Sequence, residues 1–290
     1  MQARSYALTR RSVVFGLLPA LVRGEGLERQ VGVTTSSFTG HLALKPKPGQ
    51  IALLDLPRFM RAELDMRVID LNTRTLAGAT TQDLEKLRGN AVKEGCVLTN
   101  LKLNYPDLLL DSPETAVRDQ ALATYKQAID QAALLGCRWT RVLPQLRRPD
   151  WERYVASMRK LTEYAQSRSI QMVVENYGWM ESDPSTAANL IRDIGLHTAA
   201  QPDIGNWSAN AVRYDGLSKL FPLAVSCDFK AMELGPAGEH KAYDLHRCFE
   251  IGWKAGFRGP WCIEHLNNDY AAEMRGLKAV RDLLRGWMAA

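Results

Sequence analysis

Residues 171–177, QMVVENY, indicate the fold class, because a short apolar run ends there in charged and polar residues. It lies between two longer segments of helical periodicity, residues 150–169 and 182–195. Short apolar runs flanked by helices are typical of parallel strands that are buried on both faces of a sheet. On both sides of residues 171–177, the same unit of strand and helix recurs from residue 31 to the end of the chain.

Eight strands are predicted by this pattern, each short and largely apolar: Val31–Thr35, Arg67–Leu71, Val97–Leu103, Thr140–Leu143, Gln171–Val174, Thr198–Pro202, Ala224–Phe229 and Pro260–Glu264. The predicted helices are Pro57–Leu64, Thr80–Gly95, Thr115–Gly136, Asp150–Ser169, Ser182–Gly195, Asn210–Phe221, Tyr243–Ala255 and Tyr270–Trp287. Eight units without a break in composition predict one α/β domain over residues 31–290. Since the sequence has no Gly-x-Gly-x-x-Gly loop, a closed (β/α)8 TIM barrel is favoured over a doubly wound dinucleotide-binding sheet.

The composition is that of an ordinary globular protein, with 290 residues, 46% hydrophobic and 24% charged positions. The absence of an apolar run of 18 residues excludes a polytopic membrane protein. The net charge is only +5 and the basic residues are scattered, which argues against a nucleic-acid partner. The cysteines form no C-x-x-C pair and are interpreted as buried thiols: Cys96, Cys137, Cys227, Cys248 and Cys262.

The first thirty residues resemble an export signal rather than part of the barrel. Arg10 and Arg11 precede an apolar stretch at residues 13–22, as in a twin-arginine signal. This layout predicts that the export machinery carries the folded protein to the periplasm. No A-x-A cleavage site follows, which leaves an uncleaved anchor open. An amphipathic first helix or a mispredicted start codon, with a cytoplasmic protein, is the alternative interpretation.

Four carboxylates mark the ends of predicted strands five to eight: Glu175, Asp203, Asp228 and Glu264. Each lies between 25 and 36 residues after the one before it. Because the active site of such a barrel lies at the C-terminal ends of its strands, we expect them to converge on one rim. Converging carboxylates require a counter-charge, and all-oxygen ligation suits a hard divalent cation. The sequence therefore predicts one divalent metal ion, Mn²⁺ or Mg²⁺.

These strand ends resemble a known family. The Glu-Asn of strand five, the Asp-x-Gly of strand six, the Phe-Lys of strand seven and the Ile-Glu of strand eight are similar to the xylose isomerase-like barrel, the sugar phosphate isomerase/epimerase superfamily. The segments VGVTTSSF (31–38), GCRWTRV (136–142) and GFRGPWCIE (256–264) resemble the same family. The resemblance covers roughly residues 31–285.

The resemblance implies a metal site formed by Glu, Asp, His and Glu in strand order. Carried over, these positions are Glu175, Asp203, Asp228 and Glu264. Asp228 stands where the family usually has His, which keeps an oxygen ligand and raises the negative charge. Asn206 stands where an Asp-x-Gly-His motif has its His, which removes a usual substrate contact.

The resemblance also implies an isomerase or epimerase that removes the α-proton of a carbohydrate or hydroxy-ketone through an enediolate, with Glu175 and Glu264 as the acid–base pair. A lyase or dehydratase using the same intermediate remains an alternative. So does a non-catalytic exported sugar-binding barrel in which Asp228 marks a degenerate metal site. A DNA-repair enzyme of the endonuclease IV type is disfavoured, because the sequence has only five His.

Further side chains near the strand ends are predicted to contact the substrate: Asn206, Lys230, Arg141, Trp207 and Tyr177. The cations are expected to hold substrate oxygens, and the aromatic rings to stack on a sugar. Lys102 is expected to be a solvated lysine of the rim, and Asp70 to form a hydrogen-bonding pair there with Asn72. His265 directly follows Glu264, so strand alternation predicts that it points away from the site.

Overall fold

The computed structural model describes residues 26–235 and 238–290, in which eight parallel strands form a single sheet. We number these strands β1 to β8 in chain order: Val31–Thr34, Val68–Asn72, Val97–Leu103, Trp139–Val142, Gln171–Val174, Ala199–Ala200, Cys227–Lys230 and Trp261–Glu264. Each overlaps the strand predicted at its place in the sequence, although β6 has only two residues. The predicted leader, residues 1–30, lies outside the described residues up to position 25.

The sheet closes into a barrel. Its strand order is β6-β5-β4-β3-β2-β1-β8-β7, and every pairing is parallel. Parallel bridges between Ala200 and Ala224 and between Asp203 and Asp228 join the two ends of this order. A small pair of parallel strands, Leu42–Ala43 and Ile51–Ala52, lies in the segment between β1 and the first helix. The predicted single-domain (β/α)8 TIM barrel is confirmed.

Eight helices follow the strands, numbered α1 to α8: Leu56–Leu64, Thr81–Lys93, Thr115–Leu135, Trp151–Ser167, Thr186–Ile194, Asn210–Leu220, Leu245–Lys254 and Tyr270–Ala289. Their limits follow local chemistry. Thr80 caps α2 through a capping box with Asp83, and α3 ends at Gly136, whose φ is +76°. None of the helices within the described residues is long and apolar enough to span a membrane.

The first turn of α8 buries a carboxyl group. Glu273 is fully buried, and its Oε2 lies 3.6 Å from Nε2 of His41, in the loop after β1. Burial raises the pKa of Glu273 to about 8, against a backbone hydrogen bond at Asn267 that lowers it. The fold therefore favours the protonated form of this side chain.

We expect the Glu273→Gln variant to be more stable than the wild type, by a margin that grows as the pH rises from 5 to 8. The pKa of Glu273 is higher in the folded protein than in the unfolded chain, so ionisation of this carboxyl group favours unfolding. The wild type therefore keeps its full stability at low pH and loses stability as the pH rises through the folded pKa, whereas Gln does not ionise. Urea unfolding at several pH values measures this margin. Glu250→Gln, at a more exposed site on α7, is the control. A margin that does not change with pH would contradict the expectation.

Candidate active site

A polar cavity of about 430 Å³ opens at the C-terminal ends of the strands. Eight of the residues singled out from the sequence line it: Asn72, Lys102, Arg141, Glu175, Tyr177, Asn206, Lys230 and Glu264. The loops after β1 and β2 contribute further lining residues that the sequence did not single out, among them Ser36, Thr39 and Arg74. Ser36 lies within the segment 31–38, whereas Thr39 and Arg74 belong to no motif, so only the closed barrel reveals that these two face the same cavity.

Three of the four predicted carboxylates lie close together, and the fourth is linked to them by a lysine. Oxygen atoms of Glu175, Asp203 and Asp228 lie within 4.8 Å of one another, and all three side chains are buried. Glu264 joins this group through Lys230, whose Nζ lies 3.3 Å from Asp203 Oδ2 and 3.4 Å from Glu264 Oε2. Asp203 and Asp228 are completely buried, whereas Glu175 and Glu264 reach the cavity.

Each carboxylate is matched by a side-chain cation. Arg141 Nε lies 2.6 Å from Glu175 Oε2, and Lys102 Nζ lies 2.6 Å from Asp228 Oδ1. Lys102 is only 2% exposed, so its expected place as a solvated rim lysine is wrong. The reason is that its ammonium group also bonds Thr34 Oγ1, at 3.2 Å, inside the barrel.

Burial dominates the electrostatics of the two deepest carboxyl groups. It raises the pKa of Asp203 to about 6, although Lys230 works in the opposite direction. It raises the pKa of Asp228 well above its usual range, although Lys102 opposes it. In Lys102 burial works to lower the pKa, but Asp228 and Glu175 outweigh it and raise the value. The surroundings of Asp203 and Asp228 thus disfavour the ionised form of both carboxyl groups.

Asn176 fixes the turn that carries Asp203. Its Oδ1 accepts from the Asp203 backbone N–H at 2.8 Å, and its Nδ2 donates to the carbonyl oxygens of Asp203 and Asn206 at 2.9 and 3.1 Å. The backbone N–H groups of Gly205 and Asn206 donate to Asp203 Oδ1, at 2.6 and 3.2 Å. One oxygen of Asp203 is therefore held by backbone, while the other faces Lys230.

Asn206 connects a carboxylate with a cation. Its Nδ2 donates to Glu175 Oε1 at 3.1 Å, and its Oδ1 accepts from Lys230 Nζ at 2.9 Å. The structure does not bring Trp207 into the cavity. Its indole N–H donates to the Asp203 carbonyl at 3.0 Å, and its ring packs so closely on α6 that a Cβ at Gly216 would lie 2.1 Å away.

A polar layer lies inside the barrel beneath the cavity. Gln201 Nε2 donates to Asp70 Oδ2 at 2.9 Å and to Asp228 Oδ1 at 3.3 Å, and Asn100 donates to Gln201 at 2.6 Å. Asp70 is fully buried and bonds Gln201, while Asn72 bonds the hydroxyl groups of the loop after β1. The predicted Asp70–Asn72 hydrogen bond at the rim is therefore wrong. Asp70 bonds to Gln201 beneath the cavity, whereas Asn72, two residues further along β2, lines the cavity itself. His265 points away from the cavity, as predicted, and bonds the Ala231 carbonyl at 2.5 Å.

The donor set fits a hard divalent cation. Asp228 Oδ2 is buried and has no hydrogen-bond partner among the residues that the structure describes. Three carboxylates already offer oxygen atoms within 4.8 Å of one another, and Glu264 contacts the same lysine as Asp203. Carboxylate oxygens are the ligands that Mg²⁺ and Mn²⁺ prefer.

Comparisons with known proteins agree with this fold. The sequence model of the xylose isomerase-like TIM barrel family matches residues 62–285. No curated protein matches the sequence. Among solved structures, D-psicose 3-epimerase from Clostridium cellulolyticum H10 superposes with a TM-score of 0.71 at 13% identity, covering 89% of this chain and 99% of that one.

An L-ribulose 3-epimerase also gives a TM-score of 0.71, at 14% identity, over 90% of this chain and 94% of that chain. A xylose isomerase-like TIM barrel protein from Mycobacterium smegmatis, solved in complex with magnesium, gives a TM-score of 0.61 at 17% identity, over 89% and 97% of the two chains. These likenesses establish the shared fold, and the family match covers most of the sequence. The chain belongs to the xylose isomerase-like TIM barrel family.

Proposed function

We propose that the protein is a divalent-metal-dependent isomerase or epimerase that removes the α-proton of a keto-sugar or a related small carbohydrate. The observation that carries this proposal is the group of carboxylates from four consecutive strands: Glu175, Asp203 and Asp228 lie close together, and Glu264 shares Lys230 with Asp203. Glu175 and Glu264 also line the polar cavity. The similarity of the fold to two sugar 3-epimerases supports the substrate class. The cavity volume of about 430 Å³ has room for a small carbohydrate.

Glu175, Asp203, Asp228 and Glu264 would hold the metal ion, which we propose to be Mn²⁺ or Mg²⁺. When bound, such an ion polarises a carbonyl group and offsets the negative charge of an enediolate. The orphaned Oδ2 of Asp228 supports this assignment, because a buried carboxylate oxygen without a partner is costly. Asp228 thus takes the place of the family's His as an oxygen ligand.

Glu175 and Glu264 are the proposed acid–base pair. They reach the cavity from β5 and β8, with β6 and β7 between them in the barrel, so they approach a bound substrate from different sides. One carboxylate accepts the α-proton and the other returns a proton, either to the opposite face or to the neighbouring carbon. Return to the opposite face gives an epimer, and return to the neighbouring carbon gives an isomer.

One cation of the cavity holds Glu175 in place. Arg141 pairs with Glu175, and its Nη1 donates to Asn104 Oδ1 at 2.9 Å, so the guanidinium is fixed at both ends. Lys230 and Asn206 face the cavity with polar atoms that a substrate hydroxyl or carbonyl can reach. Tyr177 also lines the cavity and is the proposed stacking surface for a sugar ring.

We expect the wild-type protein to retain about one Mn²⁺ or Mg²⁺ per chain after dialysis, because the four carboxylates act together as ligands. Asp203→Asn and Glu264→Gln should each lose the ion, since each removes a charged ligand from the group. Elemental analysis of the dialysed proteins measures the metal content. A folded wild-type protein that holds no metal after dialysis against Mn²⁺ would contradict the metal dependence.

We also propose that residues 1–30 direct the protein to the periplasm through the twin-arginine machinery. The support is the Arg10-Arg11 pair before the apolar stretch at residues 13–22. Replacing both arginines with Lys should retain the protein in the cytoplasm, which cell fractionation measures. Unchanged export of this variant would contradict the proposal.

A further inference from the structure

Lys230 occupies a bridging position among the proposed metal ligands. Its ammonium nitrogen lies 3.3 Å from Asp203 Oδ2, 3.4 Å from Glu264 Oε2 and 2.9 Å from Asn206 Oδ1. Two of the four carboxylates therefore share one side-chain cation. The other two cations each lie against a single carboxylate, at 2.6 Å, so the bridging arrangement belongs to Lys230.

The barrel is shaped around the stem of this lysine. A Cβ at Gly205 would lie 2.5 Å from Lys230 Cδ and 2.9 Å from its Cβ and Cγ, so any larger residue there would push the lysine away. The buried Tyr243 donates its hydroxyl proton to the Lys230 carbonyl at 2.7 Å. The side chain of Lys230 is 20% exposed. Its ammonium group is thus directed at the carboxylates by packing and is largely shielded from water.

Lys230 offsets the negative charge of two carboxylates from different strands, as a metal ion bound to the same carboxylates would. Asp203 Oδ2 is the oxygen of that residue that backbone N–H groups leave free, since the two N–H donors bond Oδ1. Oδ2 is therefore the oxygen of Asp203 that is open to a metal ion, and it is also the oxygen that Lys230 contacts. The metal ion and the Lys230 ammonium group therefore cannot both bind this oxygen closely.

We propose that Lys230 is a built-in competitor for the divalent ion, and that binding of the ion displaces its ammonium group from Asp203 and Glu264. This inference rests on the proposed function, because it assigns a competitor to that metal site. Since Asn206 Oδ1 and the cavity remain within reach, the displaced ammonium becomes available to a substrate oxygen. Binding of the ion then releases Lys230 from the two carboxylates and makes it available to the substrate at the same time.

The test compares the Kd for Mn²⁺ of the wild type and of Lys230→Met, measured by calorimetry on the full chain. Met keeps an unbranched stem of similar shape and removes the charge. We expect Lys230→Met to bind Mn²⁺ about tenfold or more tightly, because it frees the carboxylate oxygens and removes a repulsive charge. Circular dichroism shows whether the variant is folded.

Arg74→Met is the matched control. Arg74 lines the same cavity, is exposed, and forms no ion pair with a carboxylate among the described residues. Its replacement removes one positive charge without releasing a ligand, so we expect the Kd for Mn²⁺ to change by less than about twofold. An equal tightening in this variant would show a general charge effect and overturn the inference.

A second readout follows the lysine itself. In protein labelled with ¹⁵N at the lysine Nζ, the resonance that Lys230→Met removes should shift when diamagnetic Mg²⁺ is added. An unchanged resonance in a protein that binds Mg²⁺, or equal Mn²⁺ affinity in wild type and Lys230→Met, would overturn the competition and leave the proposed function standing. Absence of Mn²⁺ binding in all three proteins would contradict the metal dependence, and the inference with it.

Discussion

The Glu264→Gln variant should exchange the substrate α-proton with solvent at a rate about 10²–10⁴-fold below that of the wild type. Gln has nearly the same shape as Glu but accepts no proton at neutral pH, and losses of this size are typical when a general base is removed. Glu264 is the last residue of β8, and its side chain faces the cavity. Gln at this position keeps the length of the side chain and removes the carboxylate.

Deuterium incorporation from D₂O, followed by NMR, measures this exchange on a panel of keto-sugars. The assay is run at Mn²⁺ concentrations that saturate the variant, so that loss of a ligand and loss of a base are separated. Glu250→Gln, the same substitution at the surface of α7, is the matched control and should exchange at the wild-type rate. Wild-type exchange by Glu264→Gln would exclude Glu264 as a member of the acid–base pair.

The second large effect concerns stability. We expect Lys102→Met to lower the free energy of unfolding by about 3–5 kcal/mol, which is the usual cost of leaving one member of a buried ion pair without its partner. Asp228 is fully buried, and Lys102 is the cation that opposes the rise of its pKa. The cost should shrink at acid pH, where Asp228 is protonated in the folded and the unfolded chain.

Urea unfolding of the metal-free protein measures this loss. The double variant Lys102→Met/Asp228→Asn should recover most of it, because it removes the unpaired charge together with its partner. Gln201 can still donate to the amide oxygen at residue 228 in that variant. A loss below about 1 kcal/mol in Lys102→Met would show that the pair contributes little to the fold.

The barrel and the convergence of its carboxylates could be predicted from local sequence. Each strand is a short apolar run between helices, and parallel strands bring their C-terminal ends to the same rim. Glu175 follows β5 directly, and Glu264 is the last residue of β8. No knowledge of side-chain packing was needed to place these two on the same side of the barrel.

The partners of the carboxylates could not be predicted in the same way. Lys102 lies 126 residues before Asp228, and their contact depends on the closure of the barrel and on the register of its strands. Gln201 likewise reaches Asp70 across 131 residues of sequence. Trp207 follows the site turn as a stacking residue would, but the small Gly216 on α6 gives its ring a place in the core. Tertiary packing determines these side-chain contacts, and local sequence patterns do not reveal them.

The measurement that tests metal-dependent proton abstraction most directly is α-proton exchange by the wild-type protein in D₂O, with Mn²⁺ and after chelation. We predict that at least one keto-sugar of the panel gains deuterium at the carbon next to its carbonyl when Mn²⁺ is present, and that chelation stops the exchange. Exchange that continues undiminished after chelation would contradict the metal dependence. Absence of exchange on every keto-sugar, in folded protein loaded with Mn²⁺, would contradict the proposed reaction itself.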